Sequence, residues 1–221
     1  MKRSVIDRKI DEALQLFSAH GLHLPPWAAW TPRQWQEASD GAAEIREAGL
    51  GWDLTDFGSG DFARCGLLLF TVRNGTPANG KPYAEKLMLA MEGQVTPLHF
   101  HWSKMEDIIN RGGAPLGMKL YLADPADDSK LTDDPVEVAI DGIRRTVRAG
   151  EILRLMPGES ITYTPRVYHT FWGDGGTTII GEVSMVNDDT SDNCFYEPCG
   201  RFPEIEEDQP RRYCLCNEYP F

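Results

Sequence analysis

The chain has 221 residues, 41% hydrophobic and 25% charged, which suits a globular protein with a full apolar core. Its 34 acidic against 22 basic residues give a net charge of -12, which repels phosphate backbones and argues against a nucleic-acid partner. No apolar run is long enough to span a bilayer, and "MKRSVIDRKIDEAL" reads as a charged helix rather than a signal peptide, so the expected setting is the cytoplasm, without a membrane.

Residues 4–20 place Val5, Ile6, Ile10, Ala13, Leu14 and Phe17 on one helical face, with Gly21 as the stop. "LPPW" breaks the chain, and "TPRQWQEA" starts a second helix. Its expected N-cap is Thr31, followed by Pro32 at the first helical position and Gln34 completing a capping box. The helical region is expected to end at Gly49 or Gly51.

After Trp52 the texture changes. "CGLLLFTVRNG", "YAEKLMLAMEGQ", "MKLYLAD", "VEVAIDGIRRTVRAG", "EILRLMPGE", "SITYTPRVYHTFWG" and "TTIIGEVSMVND" are short branched and aromatic runs between Gly, Pro, Asn and Asp. This is the pattern of an all-β sandwich or barrel. Asp141-Gly142 predicts a two-residue hairpin. The last thirty residues lack periodicity and are expected to wrap the barrel. The division is therefore a helical layer over 1–51 and a β-barrel with its tail over 52–221, one domain overall.

Five cysteines are present, four of them late: Cys194, Cys199, Cys214 and Cys216. Their spacing lacks the paired C-x-x-C elements of a zinc knot, and nothing points to an oxidising compartment, so free and mostly buried thiols are expected.

The chemistry concentrates in "GQVTPLHFHWSKMEDIINRGG", which holds two of the five histidines within three residues. Residues two apart on a strand share a face, so His99 and His101 project together and Phe100 points away. Glu106 is expected to return on the adjacent strand beside them, and His169 in "TPRVYHTFWG" offers a fourth ligand. Two imidazoles and a carboxylate already suit a divalent ion such as Mn, Fe, Co, Ni or Zn.

Gly93, His99-x-His101, Glu106 and Gly113 stand at the spacing of the first cupin motif, and Pro165 with His169 resembles a shortened second one. Cupins are double-sheet jelly rolls that enclose a site. Over nearly the whole chain, "LPPW", "GWDLTDFG", "LFTVRNG", "YAEK", "TPLHFHWSKMEDIINRGG", "PGESI", "YHTFWG", "GEVSMVNDD" and "EPCGRFP" resemble the cupin-type D-lyxose isomerases. The resemblance implies a cupin barrel that interconverts D-lyxose and D-xylulose, acts more weakly on D-mannose and D-fructose, and uses a divalent metal, most often Mn2+, with Co2+, Zn2+ or Fe2+ as alternatives.

Such a reaction needs a base to move a proton between C1 and C2 and a cation near O1 or O2. Lys104, in the turn before Glu106, is the expected cation. Glu182, on a predicted central strand, and Glu197, in the tail, are the two candidate bases; burial is expected to raise the pKa of Glu182 toward a useful value. Lys86, Arg201, and Asp188 with Asp189 are candidate sugar contacts. Trp52, Phe171 and Trp172 are candidate apolar walls. A non-haem Fe(II) dioxygenase and a non-catalytic sugar-binding cupin are the alternative functions, and a homodimer is the expected assembly.

Overall fold

A computed structural model describes residues 1–189 and 191–220. α1 (Arg3–Ala19) buries Ile6, Ile10, Ala13 and Phe17, the stripe the sequence predicts, and Gly21 follows its end at φ +71°. α2 (Pro32–Ala38) opens on the expected capping box: the Gln34 amide donates to Thr31 Oγ1, and the Thr31 amide donates to Gln34 Oε1. α3 (Ala43–Glu47) completes the helical layer.

Among the described residues fourteen strands follow: β1 (Gly51–Thr55), β2 (Leu67–Arg73), β3 (Tyr83–Ala90), β4 (His99–His101), β5 (Glu106–Gly113), β6 (Leu116–Asp124), β7 (Asp127–Leu131), β8 (Val136–Ile140), β9 (Ile143–Val147), β10 (Leu153–Leu155), β11 (Ser160–Tyr163), β12 (Val167–Gly173), β13 (Thr178–Met185) and β14 (Asn193–Phe195). They form two antiparallel sheets. The larger runs β1-β2-β3-β13-β5-β11-β8-β9; the smaller runs β10-β6-β12-β4-β14, with β7 paired to β6. This is the expected all-β cupin barrel with an N-terminal helical extension.

Alternation along the strands divides the core in two. Leu67 and Leu69 of β2 face the barrel interior with Ile108, Met118 and Ile180. Leu68 and Phe70 face outward and are covered by Ile6, Ile10 and Phe17 of α1 and by Leu215 of the tail. The larger sheet is thus buried on both faces where the helices lie, and its inner face is free to carry the site. Asp141 and Gly142 turn the β8–β9 hairpin with both φ positive, at 50° and 78°, as a primed two-residue turn requires.

Three strands escape the sequence reading: β1, β7 and β14. The run "SITYTPRVYHTFWG" also breaks into β11 and β12, which belong to opposite sheets. All five cysteines are free, but only Cys214 is fully buried and Cys199 is exposed, so the expectation of mostly buried thiols is corrected. Among the described residues no helix is long and apolar enough to cross a membrane.

Candidate active site

The inner faces of the two sheets converge on a narrow cavity of about 70 Å³. β4 sends His99 and His101 into it, and β12 sends His169; His99 and His169 are direct cross-strand partners. Phe100 and Tyr168, one residue out of phase, turn away and pack on each other in a separate cluster.

The three imidazoles present ring nitrogens that lie within 4.8 Å of one another. His99 Nδ1 sits 2.9 Å from Pro97 O and His169 Nδ1 sits 3.0 Å from Val167 O, contacts that favour a proton on Nδ1 and leave Nε2 as the acceptor. Among the described residues neither buried ring nitrogen of His101 makes a well-aligned hydrogen bond; Nε2 has only the Glu106 carboxylate at 3.3 Å. Burial, then the neighbouring His169 and His101, hold the His99 pKa well below its ordinary value, so it is neutral as a metal ligand must be.

Glu106 meets the histidines differently from the sequence expectation. β4 and β5 belong to opposite sheets, so the carboxylate faces the imidazoles across the barrel rather than from an adjacent strand. Its Oε1 lies 3.3 Å from His101 Nε2 and 3.2 Å from His169 Nε2. Two ligands at ~2.1 Å from one ion stand ~3.0 Å apart in octahedral and ~3.4 Å apart in tetrahedral coordination, so these edges fit a shared ion. Burial alone would raise the Glu106 pKa, but Lys104 and His101 outweigh it and keep the carboxylate ionised.

Behind this cluster lies a second one, of alternating charge. Lys104 Nζ is 2.8 Å from Glu106 Oε2, 3.2 Å from Glu182 Oε1 and 3.3 Å from Asn187 Oδ1. Lys86 Nζ is 3.1 Å from Glu182 Oε1 and 2.7 Å from Asn187 Oδ1. Lys86 and Glu182 are register partners on β3 and β13. The expected partner of a buried Lys86 is therefore this carboxylate. Burial pulls the Lys104 pKa down, yet Glu106 and Glu182 more than restore it, so the ammonium stays charged. For Glu182, burial raises the pKa but Lys104 and Lys86 lower it further. The sequence expectation of a raised value is corrected: two ammonium groups on one carboxylate overcome desolvation.

Phe171, Arg201 and Asp189 also line the cavity. Other sequence candidates do not. Trp52 points out of the barrel, stacks with Phe17 at 6.5 Å and donates its indole N–H to Ala28 O, because its place on β1 is out of phase with the inner face. Trp172 lies against Gly117, also out of phase. Glu197 is exposed on the tail and lines a different surface hollow. Asp188 is exposed and accepts from Ser191, so its neighbour Asp189 takes the cavity position.

Four site residues were absent from the sequence reading. Asn187 bridges both lysines. Asp192 accepts from the Ser103 and Lys104 amides at 2.8 and 3.0 Å and so sets the turn that carries Lys104. Asp53, fully buried on β1, binds Arg201 at 2.5 Å. Phe195 of β14 lies 5.3 Å from the His99 ring. Asn187 lies inside the noticed "VNDD" and Asp192 three residues beyond it, a signal that could have found them.

The D-lyxose isomerase family model matches residues 1–219. A D-lyxose/D-mannose isomerase of Serratia proteamaculans is 50% identical, covering 99% of this chain and 98% of its own. The protein of that description from Escherichia coli O157:H7 is 49% identical over the same shares. Among solved structures, the L-ribose isomerase of Cellulomonas parahominis superposes with a TM-score of 0.58 at 17% identity, covering 93% of this chain and 98% of that one. The Geodermatophilus obscurus L-ribose isomerase gives 0.58 at 15% identity, over 88% and 92%. At such identity these two speak to the fold alone. The sequence matches say more: this chain belongs to the D-lyxose isomerase family.

Proposed function

We propose that this protein is a metal-dependent ketol-isomerase that interconverts D-lyxose and D-xylulose, and more weakly D-mannose and D-fructose. The observation that carries the reading is the adjacency of a three-histidine, one-carboxylate cluster to an ionised carboxylate gripped by two lysines. Family membership favours isomerisation over the dioxygenase and the sugar-binding alternatives.

His99, His101, His169 and Glu106 would hold the ion, with Mn2+ the first choice and Co2+, Zn2+ or Fe2+ admissible for such donors. A bound divalent ion supplies Lewis acidity to a carbonyl and its neighbouring oxygen. Glu182 acts as the base. Its Oε1 already accepts from Lys86, Lys104 and Ser184, whereas Oε2 has only a 3.3 Å contact with Lys86 and is the oxygen open to a proton. It takes the proton from C2 of the aldose and returns it to C1 after the hydroxyl proton has passed from O2 to O1, so that the carbonyl moves from C1 to C2. Lys104 gives its ammonium to the oxygen on which charge develops, exchanging its longest contact, to Asn187, for the sugar. Phe171 and Phe195 wall the cavity against water.

The five free thiols support a reducing, cytoplasmic setting. Tyr83, Val183 and Met185, exposed together on the outer face of β3 and β13, supply an apolar face for a homodimer, which sedimentation tests. For the function itself, metal-stripped protein is incubated with a panel of aldoses before and after Mn2+, Co2+, Zn2+ or Fe2+ is restored. D-Lyxose turnover that appears only with metal is the expected result; turnover of the stripped protein, or none with any ion, would overturn the proposal.

A further inference from the structure

Residues 164–166 carry the chain from β11 in the larger sheet to β12 in the smaller one. Arg166 closes this passage at φ +68°, a left-handed conformation that favours glycine over any residue with a Cβ. Strain of this kind persists only where the surroundings over-determine it. Here they do. The Arg166 amide donates to His101 O at 3.0 Å, and the Arg166 carbonyl accepts from the Ala123 amide at 3.1 Å. One residue thus ties β4 and β6, the two neighbours of β12, at the point where β12 begins.

The side chain then reaches over the outer face of the smaller sheet. Its guanidinium carbon lies 5.9 Å from the ring centres of both Phe100 and Trp102, a cation–π distance. Nη2 donates to Asp128 Oδ1 on β7 and, at 3.4 Å, to Asp124 O. The Asp128 carbonyl accepts from the Tyr168 hydroxyl at 2.8 Å, and the Tyr168 ring meets Phe100 edge-on at 4.7 Å. Phe100 stands between His99 and His101, and Tyr168 precedes His169. The clamp therefore grips, from outside, the residues that alternate with the three imidazoles. β4 needs such a hold, because it is three residues long and pairs with β12 at the single register pair His99–His169. Stability alone does not account for the arrangement: the Arg166 and Asp128 side chains are 39% and 35% exposed, and ion pairs so exposed contribute little.

We propose that Arg166, with Asp128 as its counter-charge, is a positioning residue of the three-histidine site. It fixes the placement of β4 against β12, and through it the affinity of the site for its ion and the geometry of coordination. The inference rests on the metal reading of the site and adds what holds the ligand strands in place.

The test reads metal binding rather than turnover. The full chain, stripped of metal, is titrated calorimetrically with Mn2+ and with Co2+, and urea unfolding of each apoprotein measures stability separately. Arg166→Gly removes the side chain and the backbone strain together, which limits its cost to folding. It is expected to bind both ions about 10- to 100-fold more weakly than wild type, the usual loss when a group behind a metal ligand is removed. Its Co2+ form should also show a shifted visible absorption band, a signature of coordination geometry that a role in folding alone would not move. Asp128→Ala leaves the Arg166 backbone in place and removes only the counter-charge, so it should weaken both ions by a smaller factor. Wild-type affinity with an unchanged Co2+ band in Arg166→Gly, or in Asp128→Ala should the glycine variant fail to fold, would overturn the positioning role and leave the metal site standing. No uptake of either ion by wild type would remove the metal site itself, and the positioning role with it.

Discussion

At the scale of single residues, the chemistry depends on which carboxylates and ammonium groups reach one another. The metal-ligand candidates were legible because period-two alternation puts His99 and His101 on one face regardless of the rest of the fold. Lys86 was legible for the same reason, by phase with Met88 and Ala90. Glu197 was not separable from Glu182, since the tail around it has no periodicity from which facing can be read. The structure puts Glu182 within reach of both lysines and leaves Glu197 exposed. Glu197→Gln is therefore expected to retain the wild-type rate in a steady-state assay. Lys104→Ala should lower kcat by ~10²–10³-fold, the usual loss when a donor to a developing oxyanion is removed. A Lys104→Ala enzyme at full rate would assign the lysine to structure alone.

At the scale of elements, the decisive feature is the short passage from β4 to β5. Four residues carry the chain from the smaller sheet to the larger, which turns the Glu106 carboxylate back toward the histidines and buries Lys104 between the walls. Asp192 holds that passage by accepting from the Ser103 hydroxyl and from the Ser103 and Lys104 amides. Its removal leaves the buried Lys104 amide unpaired, so Asp192→Ala is expected to cost about 1–3 kcal/mol in urea unfolding and to lower kcat together with stability. Unchanged stability would mean that the turn is set by its own sequence. Such long-range supports are hard to read from sequence because Asp192 and Ser103 are separated by most of the barrel. β1 and β14 were hidden for a related reason. They are short, and pairing with β2 and β4 rather than any apolar run of their own defines them. The β8–β9 hairpin was readable because its turn chemistry is local.

At the scale of the whole molecule, the N-terminal helix and the tail are one device. The Arg3 amide donates to Glu206 O, its buried guanidinium binds Glu207 and Glu218, and Asp11 takes bonds from Arg212 and Tyr213. Leu215 then bridges to Trp52, so the tail that delivers Arg201 is fastened to α1 and β1. The sequence pointed to a wrapping tail without showing what it wraps. Arg3→Met should destabilise the protein by about 2–3 kcal/mol, less than a fully buried pair because Glu207 is half exposed. The hydrogen bond from Arg3 holds the Glu207 pKa below 4.5; for Asp11, burial pushes upward but Tyr213 and Arg212 bring it below 3.8. Both pKa values are lower in the folded chain. Their contribution is therefore complete above the unfolded values and is lost as pH falls through the folded ones. Urea midpoints should fall between about pH 5 and 3, less steeply in Arg3→Met; parallel curves would show that the pair does not couple to protons. The proposed reaction turns on proton transfer by Glu182, and the direct measurement is turnover of D-xylulose in deuterated water by wild type and Glu182→Gln. Deuterium at C2 of the D-lyxose formed is expected, with the Gln variant slowed ~10²–10⁴-fold while keeping its metal. No deuterium in the product, together with a Gln variant at the wild-type rate, would contradict carboxylate-mediated transfer and point to a hydride shift instead.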